Sequence, residues 1–99
     1  MSRPDFVTNE DITRWSENID NDPNLPEALR QQPLLREVLY AGLWLGEQLE
    51  KTDLSIENQA RLRYTAGQLS FGKDPWQVHQ EMWDDYTNNR IEFEIDYDA

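Results

Sequence analysis

Apolar residues recur every three or four positions through most of this chain and every second position only at its end, a change of period that separates helices from a terminal strand. Thr8 can cap a first helix, and Asp11 sits in its first turn, where an acid favours the helix dipole. Ile12, Trp15 and Ile19 then follow at helical spacing until Asn21-Asp22-Pro23 stops the pattern, so Trp15 should lie on the core. Three prolines between Asp22 and Pro33 mark a rigid connector, in which Pro26 opens a short helical turn through Glu27, Ala28 and Leu29.

The third helix should start near Pro33 and run to about Lys51. Leu35, Val38, Gly42, Leu45 and Leu49 form one stripe, and Leu34, Leu39, Leu43 and Trp44 widen it almost all round, so this helix must be covered on several sides. Gly42 and Gly46, four residues apart, would let another helix approach closely; each costs about 1 kcal/mol relative to alanine inside a helix, which suggests a packing reason. Asp53-Leu54-Ser55 reads as the start of a fourth helix through Asn58, Ala60, Leu62, Tyr64 and Leu69, ended by a left-handed Gly72. Asp74-Pro75-Trp76-Gln77 combines a capping side chain, a first-turn proline and a capping-box glutamine, and Val78, His79, Met82, Trp83 and Tyr86 should face inward from the helix it opens. Thr87-Asn88-Asn89 makes the following turn.

From Ile91 to Ala99 the period becomes two: Ile91, Phe93, Ile95 and Tyr97 alternate with Glu92, Glu94, Asp96 and Asp98. The pattern predicts a strand, greasy on one face and anionic on the other, whose backbone groups need a partner from this chain, another copy or a different protein. Asp5-Phe6-Val7 is a short candidate mate within the chain. The expected fold is therefore mainly α: a small irregular bundle of four to five helices over residues 1–90, with an acidic C-terminal strand or tail over 91–99.

Charge sharpens the picture. The 99 residues carry 20 acids against 9 bases, a formal net charge of −11, which argues against direct binding to nucleic acid or anionic membrane and favours a basic protein partner. The excess is at the ends: seven acids and two bases up to Glu27, six of each from Ala28 to Gln80, and seven acids and one base from Glu81 onward. The longest apolar stretch, Val38 to Gly46, is far short of the ~20 residues of a membrane helix, and the N-terminus lacks a signal-peptide pattern. With no cysteine as well, the cytoplasm is the expected compartment.

Candidate chemistry is thin. His79 is the only histidine, no Gly-x-Ser-x-Gly elbow accompanies it, and on an inner helix face it reads as a core or boundary residue. The oxygen-rich run Asn18 to Asn24 lacks the glycine and terminal acid of a calcium loop, and Asp84-Asp85 diverge on a helix, so neither a metal nor another cofactor is expected. Carboxylate pairs are too abundant to nominate one, a helical domain this small is expected to leave little room for a substrate cleft, and no glycine-rich phosphate loop is present.

Two non-enzymatic readings follow. In the first, Glu92, Glu94, Asp96 and Asp98, continued by Glu81, Asp84 and Asp85, complement a basic cleft or imitate spaced phosphates, making a stoichiometric inhibitor of a basic protein. Trp76, beside Asp74 at a helix start, is the candidate interface anchor, with a packed helix-start staple as the alternative. In size and charge the chain is similar to small acidic helical antagonists of nucleases and nucleic-acid-binding machinery, a likeness of composition that covers no motif. In the second reading the chain is an assembly subunit, a homodimer among the options, joined through Ile91, Phe93, Ile95 and Tyr97 and through the third helix at Gly42 and Gly46.

Overall fold

A computed structural model describes residues 3–88 as five helices: α1 (Asn9–Asp20), α2 (Glu27–Arg30), α3 (Pro33–Glu50), α4 (Ile56–Leu69) and α5 (Pro75–Thr87). No strand occurs among the described residues, so the class is all-α there and the expected helical bundle with an appended strand is corrected. The alternating segment Ile91 to Ala99 lies outside the described residues. Its candidate mate is not a strand: Asp5-Phe6 form a turn closed by Val7 N–H donating to the Pro4 carbonyl at 3.1 Å, and Phe6 stacks on Trp44 with ring centroids 5.3 Å apart. An aromatic contact with the bundle holds this segment where a ladder was expected.

The helix ends follow local chemistry. Thr8 Oγ1 accepts from the Asp11 N–H at 3.1 Å, and an Asp11 carboxylate oxygen accepts from the Thr8 N–H at 3.1 Å, so Asp11 completes a capping box as well as facing the dipole. Ser55 caps α4 through the Asn58 N–H. Asp74 caps α5 through the Trp76 N–H at 3.0 Å, with Pro75 in the first turn. Gln77 does not close the expected capping box; its amide points along the helix toward Glu81 at 3.4 Å. Gly72 has φ 83°, the left-handed conformation that turns the chain from α4 into α5.

α3 is the axis of the molecule and packs against all four other helices. Two apolar clusters lie along it. One joins Trp15, Ile19, Tyr40, Ala41 and Trp76 at the α1 end; the other joins Leu45, Leu49, Leu62, Ala66 and Val78 between α3, α4 and α5. Trp44 packs against both. The α3 glycines serve contacts inside the chain: a Cβ at Gly46 would sit 3.2 Å from Arg63 Nε on α4, and one at Gly42 3.9 Å from His79 Nε2 on α5. Within one copy the pair therefore serves the close approach of α4 and α5 to α3. On α4, Asn58, Leu62 and Ala66 are buried while Tyr64 and Leu69 face solvent.

Gly67 and Gly72 should respond to alanine with opposite signs. Nothing lies within 4 Å of a Cβ at either, so only backbone conformation decides. Urea unfolding should show Gly67→Ala gaining about 0.5–1 kcal/mol inside α4 and Gly72→Ala losing about 1–2 kcal/mol. Equal signs would contradict the left-handed turn.

Candidate functional site

Two surfaces emerge once the internal charges are matched. On α3, Glu37 accepts from Arg3 Nε and Nη2 at 2.9 and 2.7 Å and from the Trp76 indole N–H at 3.0 Å. In the last turn of the same helix, Glu47 accepts from Arg14 at 2.9 Å and from the Trp15 indole N–H at 3.0 Å. Arg36 completes the set by pairing with Asp20 at 2.9 Å and donating to the Tyr40 hydroxyl at 3.0 Å. Arg3 and Arg36 both lie over the Tyr40 ring, at 5.5 and 5.4 Å from its centroid. These three arginines are thus held by the fold and do not neutralise the outer acids.

Burial alone would push the Glu37 carboxyl up, but the hydrogen bonds from Arg3 and Trp76 and the Arg3 charge outweigh it and hold the group below the ordinary glutamate value. Sequence reading missed this pair of clamps. The available signal was that a buried indole needs an acceptor, and Trp15 and Trp76 are only 1% and 0% exposed. Trp76 is buried rather than presented at the surface as an interface anchor would be: its ring is enclosed by Trp15 and Trp44, at centroid distances of 6.0 and 6.4 Å, and its N–H is taken by Glu37.

The first surface is the outer face of α5. Asp74, Gln77, Glu81 and Asp84 follow at spacings of three, four and three residues, which places them on one stripe, and together they line a shallow recess with Arg3 and Pro4. Glu81 and Asp84 are exposed, and no ion pair within 4.0 Å reaches either among the described residues. Asp85 is half-buried and lies off this stripe. Glu92, Glu94, Asp96 and Asp98, like Ile91, Phe93, Ile95 and Tyr97, lie outside the described residues.

The second surface is an open groove of about 810 Å³, contrary to the expectation that so small a domain leaves little room for one. α1 and α4 each pack on α3 but not appreciably on one another, which leaves Val38, Leu39 and Leu43 as the floor. Asn18 and Ile19 form one wall, and Ala60, Arg63 and Tyr64 the other.

His79 reaches this floor from α5 yet is only 1% exposed. Its Nδ1 lies 2.7 Å from the Pro75 carbonyl oxygen, which can only accept, so Nδ1 carries the proton and Nε2 faces Gly42 as an acceptor. Burial pushes its pKa down, the Pro75 hydrogen bond opposes that, and the Arg63 charge adds to the depression. Ser70 lies 3.5 Å from that same protonated nitrogen and donates its own hydroxyl to the Ala66 carbonyl at 2.7 Å. The serine proton is therefore directed away from the histidine, and the pair lacks the nucleophile–base geometry of a hydrolase. Among the described residues no three His, Asp or Glu side chains group closely enough to hold a metal ion, and no helix is long and apolar enough to cross a membrane.

No protein-family model, curated protein or solved structure matches this chain.

The Glu37 clamp should give acid-sensitive stability. Its lowered pKa means the contribution is fully present above about 4.5, the ordinary glutamate value, and is lost as pH falls through the folded-state value. Glu37→Gln should cost about 1.5–3 kcal/mol at neutral pH, the range for hydrogen bonds to a charged group. In urea titrations the gap between parent and variant should then narrow steadily as pH is lowered toward 3; a constant gap would mean the charge is not what the clamp uses.

Proposed function

We propose that this chain is a small acidic protein-binding module without catalytic chemistry of its own, acting as a stoichiometric antagonist of a basic protein partner. The observation that carries the reading is the separation of roles among the charges. Arg3, Arg14 and Arg36 are engaged with Glu37, Glu47 and Asp20, whereas Glu81 and Asp84 stand exposed on α5 with no cation paired to them among the described residues. α5 is followed in the chain by the segment bearing Glu92, Glu94, Asp96 and Asp98, which adds four more acids to this end of the sequence. Such a surface steers a cationic partner at long range and loses affinity with salt. The absence of a nucleophile–base pair at Ser70 and His79 is consistent with a role in binding.

The test uses a lysine-rich 20-residue peptide as probe, and asks whether position matters beyond total charge. Glu81→Lys/Asp84→Lys should weaken binding at least tenfold at low salt, while Glu10→Lys/Glu17→Lys, exposed on α1 and identical in charge change, should weaken it threefold or less. Equal losses would reduce the reading to nonspecific attraction and overturn it.

A further inference from the structure

The groove over α3 is bordered by a helix that shows apolar residues to water. Ile56, Ala60 and Tyr64 recur every four residues along α4, Phe71 follows just beyond it, and Ile56, Tyr64 and Phe71 are 85%, 70% and 73% exposed. Ala60 and Tyr64 belong at once to this stripe and to the groove wall, so floor and rim form one continuous apolar surface. α4 also differs from the other helices in charge. It alone has more bases than acids, Arg61 and Arg63 against Glu57, and Lys73 comes soon after. Arg63 makes no ion pair among the described residues, and Arg61 meets Glu57 only at 3.9 Å.

We propose that the C-terminal segment of the same chain, residues 89–99, seats in this groove, with apolar side chains among Ile91, Phe93, Ile95 and Tyr97 against Val38, Leu39, Leu43 and Tyr64. Three observations single out this occupant. Its period-two pattern offers one apolar side to a floor left open among the described residues. Its charge is complementary, since Glu92, Glu94, Asp96 and Asp98 outnumber Arg90 and would come beside the one basic helix of an acidic protein. Its reach suffices: His79, which lines the groove, precedes Asn88 by about 13–14 Å of helix, and eleven residues extended span about 36–40 Å. Seated this way, the segment keeps the acids of its other side facing outward, where a basic partner can meet them. The seating does not depend on such a partner, because the following test reads proximity alone.

The chain contains no cysteine, so an introduced pair reports a single contact in the full-length protein. In a glutathione buffer, Ala60→Cys/Ile95→Cys should form its intrachain disulfide at least tenfold faster than Gln77→Cys/Ile95→Cys, whose helix position is exposed on the acidic face of α5. Arg63→Glu added to the groove pair should slow the reaction at least threefold. Equal rates for the two pairs would overturn the proposal, and an unchanged rate with Arg63→Glu would overturn its electrostatic part. Disulfides forming chiefly between chains, faster at higher protein concentration, would replace the segment by that of a second copy and likewise overturn it.

Discussion

Two glutamates on one helix hold this molecule in register. A buried indole N–H deprived of water needs an acceptor, and leaving it unsatisfied costs about 1–3 kcal/mol. Trp15 from α1 and Trp76 from α5 resolve that need on opposite stretches of α3, at Glu47 and Glu37. Each carboxylate in turn takes an arginine, Arg14 or Arg3, so its charge is compensated where it is partly removed from water. Sliding either helix by one turn would separate an indole from its acceptor by about 5.4 Å. The aromatic cluster supplies adhesion without direction, and the two carboxylates supply the direction.

The same contacts explain why the surface is lopsided. Glu37 and Glu47 draw arginines inward from the N-terminal segment and from α1, and Asp20 draws Arg36, so three of the 9 bases are fixed at helix junctions. The outer face of α5 is left acidic, while α4, which takes no part in the clamps, retains Arg61 and Arg63. The groove has a related origin. α1 is tied to α3 at Arg14–Glu47 and at Asp20–Arg36, whereas α4 is attached through Leu62 and Ala66 to the second apolar cluster. Since the two helices answer to different partners, nothing draws them together over Val38 and Leu39.

Local chemistry was legible in the sequence to the residue: the Thr8, Ser55 and Asp74 caps, the first-turn Pro75, the left-handed Gly72 and the short helix after Pro26 all stand where their residue types require. Such features depend on a few neighbouring dihedrals and hydrogen bonds, which a sequence specifies directly. Neighbour choice was not legible. Periodicity shows that Gly42 and Gly46 lie on one side of α3 but not that Arg63 and His79 come from the same chain to meet them. Trp76 was misplaced for a similar reason: at a helix start an indole can point outward, and only the position of Glu37 on another helix turns it inward. The groove escaped because an empty space between nonadjacent helices has no residues of its own.

Acid-rich composition is commonly a means of staying soluble, and solubility alone would place the charges with little regard to position. The distribution in this chain is more ordered than that. Acids at helix junctions have cations, while among the described residues the exposed pair on the α5 stripe has none and Arg63, at the groove wall, makes no ion pair. Exchanging Arg63 with Glu81 would leave the net charge unchanged and bring opposite charges nearer their equals in number on each face. The chain instead keeps an anionic face and a basic-edged apolar groove apart, across a central helix whose own carboxylates are already matched. A solvated bundle has no need of that separation, whereas the two binding surfaces proposed above would use it.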